Sequence, residues 1–204
     1  MLSEKKLTTF NNYLKLEKEY EAGILFGFNT DTYDILGVPV AKENNKVELK
    51  DIKEKIVNQN RLFSFSMPPF SSYKIKGKPL FYWAREKKMN EIKIPIQKVK
   101  INNLKIINCY TLNEEEIKKN IIEKISNVKG DFRQKEILKK WTELLASRKK
   151  QHFIVKIKIS TDSGFYVRSF TNKIGEELSI GAVLFCLKRT KIGKYNINSC
   201  IKLK

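Results

Sequence analysis

Hydrophobic residues recur along this chain with two periods, and the period names the element. In "FIVKIKI" Phe153, Val155, Ile157 and Ile159 fall on one side and lysines on the other, the alternation of a strand with one buried face. Val167, Phe170, Ile174 and Leu178 are three or four apart, which predicts a helix ending near Gly181. Leu49, Ile52 and Ile56 predict a short surface helix. Asn113 can cap a helix with Glu116 reaching back to it, and Ile117, Ile121, Ile125 and Val128 carry the stripe to a stop at Gly130. Ile137, Leu138, Trp141, Leu144 and Leu145 give a second helix, so residues 113–147 read as a helical pair inserted between strands. Further strands are expected from about Glu19 to Phe28, over "QKVKI" and "LKIINCY" with lysines on one face, and as a late buried strand over "AVLFCLKRT". The order predicts an α+β domain with a largely antiparallel, mixed sheet flanked by helices, without internal repeats or a flexible linker.

Two connections stand out between these elements. "NTDTYDILG" carries Asx and Gly turn chemistry, and "SMPPFSSYKIKGKPL" is a loop because Pro68 and Pro69 remove donors and bias their neighbours away from helix.

Charge narrows the functional classes. The chain of 204 residues holds 41 Lys and Arg against 22 Asp and Glu, a net +19 that suits a polyphosphate partner such as nucleic acid better than a neutral metabolite. A genome rich in A and T would also inflate Lys, Asn and Ile, so charge alone does not decide. Cys109, Cys186 and Cys200 are far apart and lack CxxC spacing, which argues against a disulfide framework or a zinc site and points to reducing cytoplasm. The start "MLSEKKLTTF" has no apolar signal stretch, no run approaches a membrane span, and neither a GxxxxGK nor a GxGxxG motif occurs. His152 is the only histidine and reads as a polar residue at a strand start.

The most informative stretch is "SGFYVRSF". Tyr166 and Arg168 sit two apart where a strand passes into a helix, and an extended backbone would send both to one side. A cation there calls for an anion, either a protein carboxylate or a ligand phosphate. Lys74, Lys76, Lys78 and Arg85 are spaced along the proline loop as a phosphate track would need, or as an ordinary solvated loop, and Gly77 permits a turn among them. Asp31 and Asp34 in "TDTYD" are accounted for by turn hydrogen bonding rather than by a metal.

Four stretches, "KEYEAGILFGFNTDTYDILG", "PPFSSYKIKGKPLFYWAR", "SGFYVRSFTNKIGEEL" and "LFCLKRTKIGKY", resemble in this order the TruB-type tRNA pseudouridine synthases. Their collinearity makes the match specific, with the helical pair as an apparent insertion. The resemblance implies a pseudouridine synthase fold and an isomerase that flips a T-loop uridine of tRNA out of its stack, detaches the base and reattaches it through carbon, with no cofactor. It implies Tyr20 stacking on the flipped base, Tyr166 lining the uridine pocket, Arg168 pairing with the catalytic aspartate, and Leu187 packing near the base. Strand core remains an alternative for Tyr20 and Leu187, and a phosphate contact or surface ion pair for Arg168. Lys188 and Arg189 are expected on backbone phosphate.

The family's aspartate belongs to a motif resembling Gly-His-x-Gly-Thr-Leu-Asp-Pro, which does not occur in these residues. "MLSEKKLTTFNNYL" aligns with the helix that follows it. Residues 1–204 are therefore expected to be a pseudouridine synthase catalytic domain incomplete at its front, with no C-terminal RNA-binding module, whose nucleophile lies elsewhere. The expected partners are the T-loop and stem of tRNA and no membrane, with a separate N-terminal fragment if the enzyme is split and a monomer otherwise. A non-catalytic RNA-binding remnant is the alternative. Smaller departures from the family pattern are Thr9, Ser66 and Ser72.

Overall fold

The computed structural model of the chain describes residues 12–40, 47–145 and 150–200; Thr9 and most of the segment aligned with the family's downstream helix lie outside them. Six strands form one sheet in the order β10, β9, β1, β8, β7, β4. They are β1 (Lys18–Phe26), β4 (Leu62–Ser66), β7 (Ile96–Asn113), β8 (Gln151–Thr161), β9 (Ala182–Ile192) and β10 (Tyr195–Asn196). Every pairing among them is antiparallel. Two small hairpins project from the sheet, β2 (Asn29–Thr30) with β3 (Pro39–Val40), and β5 (Lys74–Ile75) with β6 (Lys78–Pro79). The second turns through Lys76 and Gly77, both at positive φ (50° and 76°), the geometry that matches the twist of a two-residue hairpin.

Alternation along the central strands feeds two cores, one on each side of the sheet. Ala22, Ile24 and Phe26 of β1 join Val155, Ile157 and Ile159 of β8 beneath helices α1 (Leu49–Val57), α2 (Leu80–Arg85) and α5 (Val167–Glu177). Leu25 and Ile154 point the other way and meet Ile117, Ile121 and Ile125 of α3 (Glu114–Ser126) and Ile137, Trp141 and Leu145 of α4 (Gln134–Leu145). The helical pair inserted between β7 and β8 thus covers one face, and the other helices cover the opposite one. Gly175 lets α5 approach β9, because a Cβ there would collide with the backbone of Ala182.

The Asn113 and Glu116 side chains exchange hydrogen bonds with each other's backbone N–H (2.8 and 2.9 Å), the expected capping box. Three expectations are corrected. Helix α3 closes at Ser126, where the Asn127 N–H returns to the Ile125 carbonyl, and Gly130 lies in the connection beyond. "QKVKI" and "LKIINCY" are one long strand, whose register shifts near Asn102 and Ile107. Strand β9 is continuously buried only from Ala182 to Phe185; its outer half emerges from under the helices, with Thr190 again buried near its end.

Candidate active site

The site begins with the turn after β2. The Asp34 carboxylate accepts from Thr32 Oγ1 (2.7 Å) and, as Asx chemistry predicts, from the Leu36 N–H (3.0 Å), while Asp31 accepts from the Val38 N–H (2.8 Å) seven residues on. The turn is bolted to the sheet by reciprocal backbone bonds, Ile35 N to Leu184 O (3.2 Å) and Leu184 N to Tyr33 O (3.0 Å). Gly37 completes it, since any Cβ there would overlap Thr32 Oγ1 and crowd the Asp31 carboxylate.

Arg168 reaches this turn from α5. Its Nη1 donates to Asp34 Oδ2 (3.3 Å) and the Thr32 carbonyl (3.2 Å), and its Nη2 donates to the Phe70 carbonyl (3.1 Å) in the proline loop. Arg168 and Asp34 are only 22% and 19% exposed, so this is a partly buried pair and not a surface contact. Burial raises the pKa of Asp34 above the usual carboxylate range, and the Arg168 charge and the Thr32 and Leu36 hydrogen bonds only partly oppose it. A carboxylate of this chain therefore already engages the arginine, a partner that sequence reasoning had not assigned to it. The shared-side reading of Tyr166 and Arg168 is corrected. Tyr166 is extended (φ −111°, ψ 106°), but α5 starts at Val167 and carries Arg168 in its first turn. Tyr166 packs toward the core, its ring 6.3 Å from that of Phe65.

Arg168 and Asp34 open onto a cleft of about 990 Å³ that is also lined by Asp31, Phe70, Arg85, Lys87, Asp131, Phe132, Arg133 and Glu136. Its four cations face four carboxylates, so the cleft is not a simple phosphate sink.

The remaining expected site residues divide. Tyr20 sits opposite Arg189 across β1 and β9, and Ala22 sits opposite Leu187. A bulge at Phe185 brings Leu187 and Arg189 onto the face that α5 covers, together with Tyr20. Burial raises the pKa of Tyr20, opposed by the charge of Arg189 and its hydrogen bond to the phenol. Leu187 is 49% exposed, which removes the strand-core alternative for it. Lys188 pairs with Glu21 and points to the opposite face, so Lys188 and Arg189 do not share one phosphate track. Of the loop cations, Arg85 lines the cleft and lies over the Phe81 ring (5.6 Å). Lys74, Lys76 and Lys78 stand on the β5–β6 hairpin; Lys78 lies over the Tyr82 ring (4.2 Å) and donates to its hydroxyl (3.0 Å). Lys76 Nζ donates to the Glu91 carbonyl (3.4 Å). His152 stands at its strand start but is buried, 3.4 Å from the Glu114 carboxylate.

Sequence reasoning missed Arg133, Phe70 and the ion-pairing role of the turn aspartates. Arg133 Nη1 donates to Asp31 Oδ2 at 2.7 Å.

The profile of the TruB family pseudouridylate synthase N-terminal domain matches residues 2–123. The chain belongs to this family. Relatives named tRNA pseudouridine synthase B include one from Malacoplasma penetrans, 26% identical over 95% of this chain and 66% of its own length. Another, from Aquifex aeolicus, is 27% identical over 98% of this chain and 55% of its own length. The chain thus spans less than two thirds of either relative. A chain in the crystal structure of a Cbf5-Nop10-Gar1 complex superposes with a TM-score of 0.49 at 14% identity, covering 94% of this chain and 35% of that one.

Proposed function

We propose that this chain serves the isomerisation of a T-loop uridine of tRNA to pseudouridine, as the walls of the uridine site and the cationic half of its catalytic network. The observation that carries the reading is Arg168, held half-buried at the mouth of an open cleft in a chain of this family. A guanidinium has five donors, and three are spent on Thr32 O, Asp34 Oδ2 and Phe70 O, which leaves two for a second carboxylate. Asp34 fixes the guanidinium plane, and the incoming carboxylate attacks the sugar of the flipped nucleotide. Tyr20, with Leu187 beside it, offers an aromatic platform for the base, and Arg189 and the cations of the β5–β6 hairpin meet phosphate.

Asp34 is not assigned as the nucleophile, because Thr32, Leu36 and Arg168 already engage its oxygens. The nucleophile belongs to the Gly-His-x-Gly-Thr-Leu-Asp-Pro-like motif, absent from these 204 residues. That same engagement favours a second reading, an RNA-binding module without chemistry of its own.

One experiment separates them. The chain is mixed with a T-arm hairpin, with and without a polypeptide carrying the aspartate motif, and pseudouridine is measured after digestion of the RNA. Isomerisation only with the added motif supports the first reading, and binding without isomerisation in either mixture supports the second. Isomerisation by the chain alone would return the nucleophile to these residues. Equal affinity for hairpins with and without the target uridine would remove the uridine site.

A further inference from the structure

Phe70 lies between two arginines. Its carbonyl accepts from Arg168, and its ring carries the Arg133 guanidinium at 4.9 Å. Each arginine is anchored on a different aspartate of one turn, Arg168 on Asp34 and Arg133 on Asp31. Arg133 comes from the connection between α3 and α4, the helical insertion for which the family resemblance supplies no role. Its backbone is held at φ 71°, a conformation an arginine seldom adopts. The neighbouring side chains fix it there: the Asp131 carboxylate accepts from the Arg133 N–H (3.3 Å), and Gln134 accepts from the Phe132 N–H (3.0 Å) and donates to the Gly130 carbonyl.

We infer that Arg133 is a positioning residue: the insertion uses it to pin the proline loop at Phe70, so that the loop presents its carbonyl to Arg168 and sets the direction of that guanidinium. The chain of contacts is continuous. Asp31 holds Arg133 by charge and Arg133 holds the Phe70 ring face. The Phe70 peptide then meets Arg168 from the side opposite Asp34. Without Arg133, the polar tie between loop and turn among the described residues runs through Arg168 itself, and the guanidinium loses one of its fixed acceptors whenever the loop lifts. The inference rests on the proposed function only for what Arg168 is for; the pinning can be tested without RNA.

The test follows the guanidinium N–H signals of Arg168 by NMR, assigned by their loss in Arg168→Lys, together with amide hydrogen exchange of residues 70–73. Arg133→Gln should broaden or shift the Arg168 signals and speed loop exchange about tenfold, the combined effect of one exposed ion pair and one cation–π contact. Exchange in α4 should stay unchanged. Arg133→Lys keeps the charge on Asp31 but not the flat face on Phe70, and should restore part of the protection. Unchanged Arg168 signals and loop exchange in Arg133→Gln would overturn the inference, as would loss of protection only within α4, which would make Arg133 a cap of its own helix. Failure of the functional reading has a different signature: the Arg168 signals respond to Arg133→Gln while the chain shows no preference for the uridine hairpin.

Discussion

Removing one or both partners of the Arg168–Asp34 pair gives the sharpest test of the site. At 3.3 Å and an effective dielectric of about 20, two unit charges attract by about 5 kcal/mol before hydration is counted. Hydration takes much of this back, as the upward displacement of the Asp34 pKa shows: burial outweighs the guanidinium. Arg168→Met leaves the carboxylate buried and strands the Thr32 and Phe70 carbonyls, and should cost about 3–4 kcal/mol. Asp34→Asn keeps a side-chain oxygen for the Thr32 and Leu36 donors and should cost about 1–2 kcal/mol. The double variant should be less damaged than the sum, because neither charge is left without its partner. A favourable coupling of about 1–3 kcal/mol is expected for groups in direct contact. Urea unfolding of the four proteins at neutral pH measures it. A coupling below about 0.5 kcal/mol, the value of an exposed pair, would show the arginine to be solvated rather than committed to Asp34, and the site geometry would fall.

The pH dependence has a sign fixed by the same carboxyl. Its folded pKa is raised, so its favourable contribution is complete below the ordinary aspartate pKa and is lost as pH rises through the folded value. Wild-type stability relative to Asp34→Asn should therefore decline from acidic pH toward neutrality, and a difference that grows instead would reverse the assignment of burial as dominant. Gly175→Ala forces a methyl against the Ala182 backbone and should cost about 1–3 kcal/mol by thermal melting; a neutral change would mean that α5 stands further from the sheet. Binding of a T-arm hairpin should weaken roughly tenfold or more between about 50 and 200 mM salt, and a flat response in filter binding would remove the phosphate role of the hairpin lysines and Arg189.

Much of the scaffold was legible because its signals are local. The alternation in "FIVKIKI" and the Asn113–Glu116 box each depend on residues within a few positions, and the backbone follows them. The site was legible only in part because its contacts are distant. Arg168 could be read as needing an anion, but Asp34 lies 134 positions away, and its Asx role, also real, was a sufficient local explanation. Arg133 meets Asp31 across 102 positions and falls on no periodic stripe. Leu187 teaches a different lesson. Strict alternation would have put it with Val183 and Phe185 on the face of the helical pair, and the bulge at Phe185 transfers it to the face of Tyr20. One extra residue in a strand, invisible to a period-two count, decides which side of the sheet a candidate pocket residue serves.

The two cores make a last prediction about how the site and the insertion share stability. Trp141 is 1% exposed and its ring lies 5.3 Å from Phe28, so Trp141→Ala should empty the centre of the helical-pair core at about 3–5 kcal/mol. That core touches the sheet through Leu25, Ile154, Val183 and Phe185 and the aspartate turn through Ile35, whereas Val167, Phe170 and Ile174 of α5 rest on the opposite face. If each face opens as its own unit, amides of α3 and α4 should exchange faster in the variant while those of α5 keep their protection, because the strands between them hold backbone bonds that neither core supplies alone. Equal loss in α5 would mean that the sheet transmits the defect and that the domain opens as one unit. In that case the insertion would act on Arg168 through the strands and not through Arg133, and the two routes would be told apart by whether Arg133→Gln leaves α5 untouched.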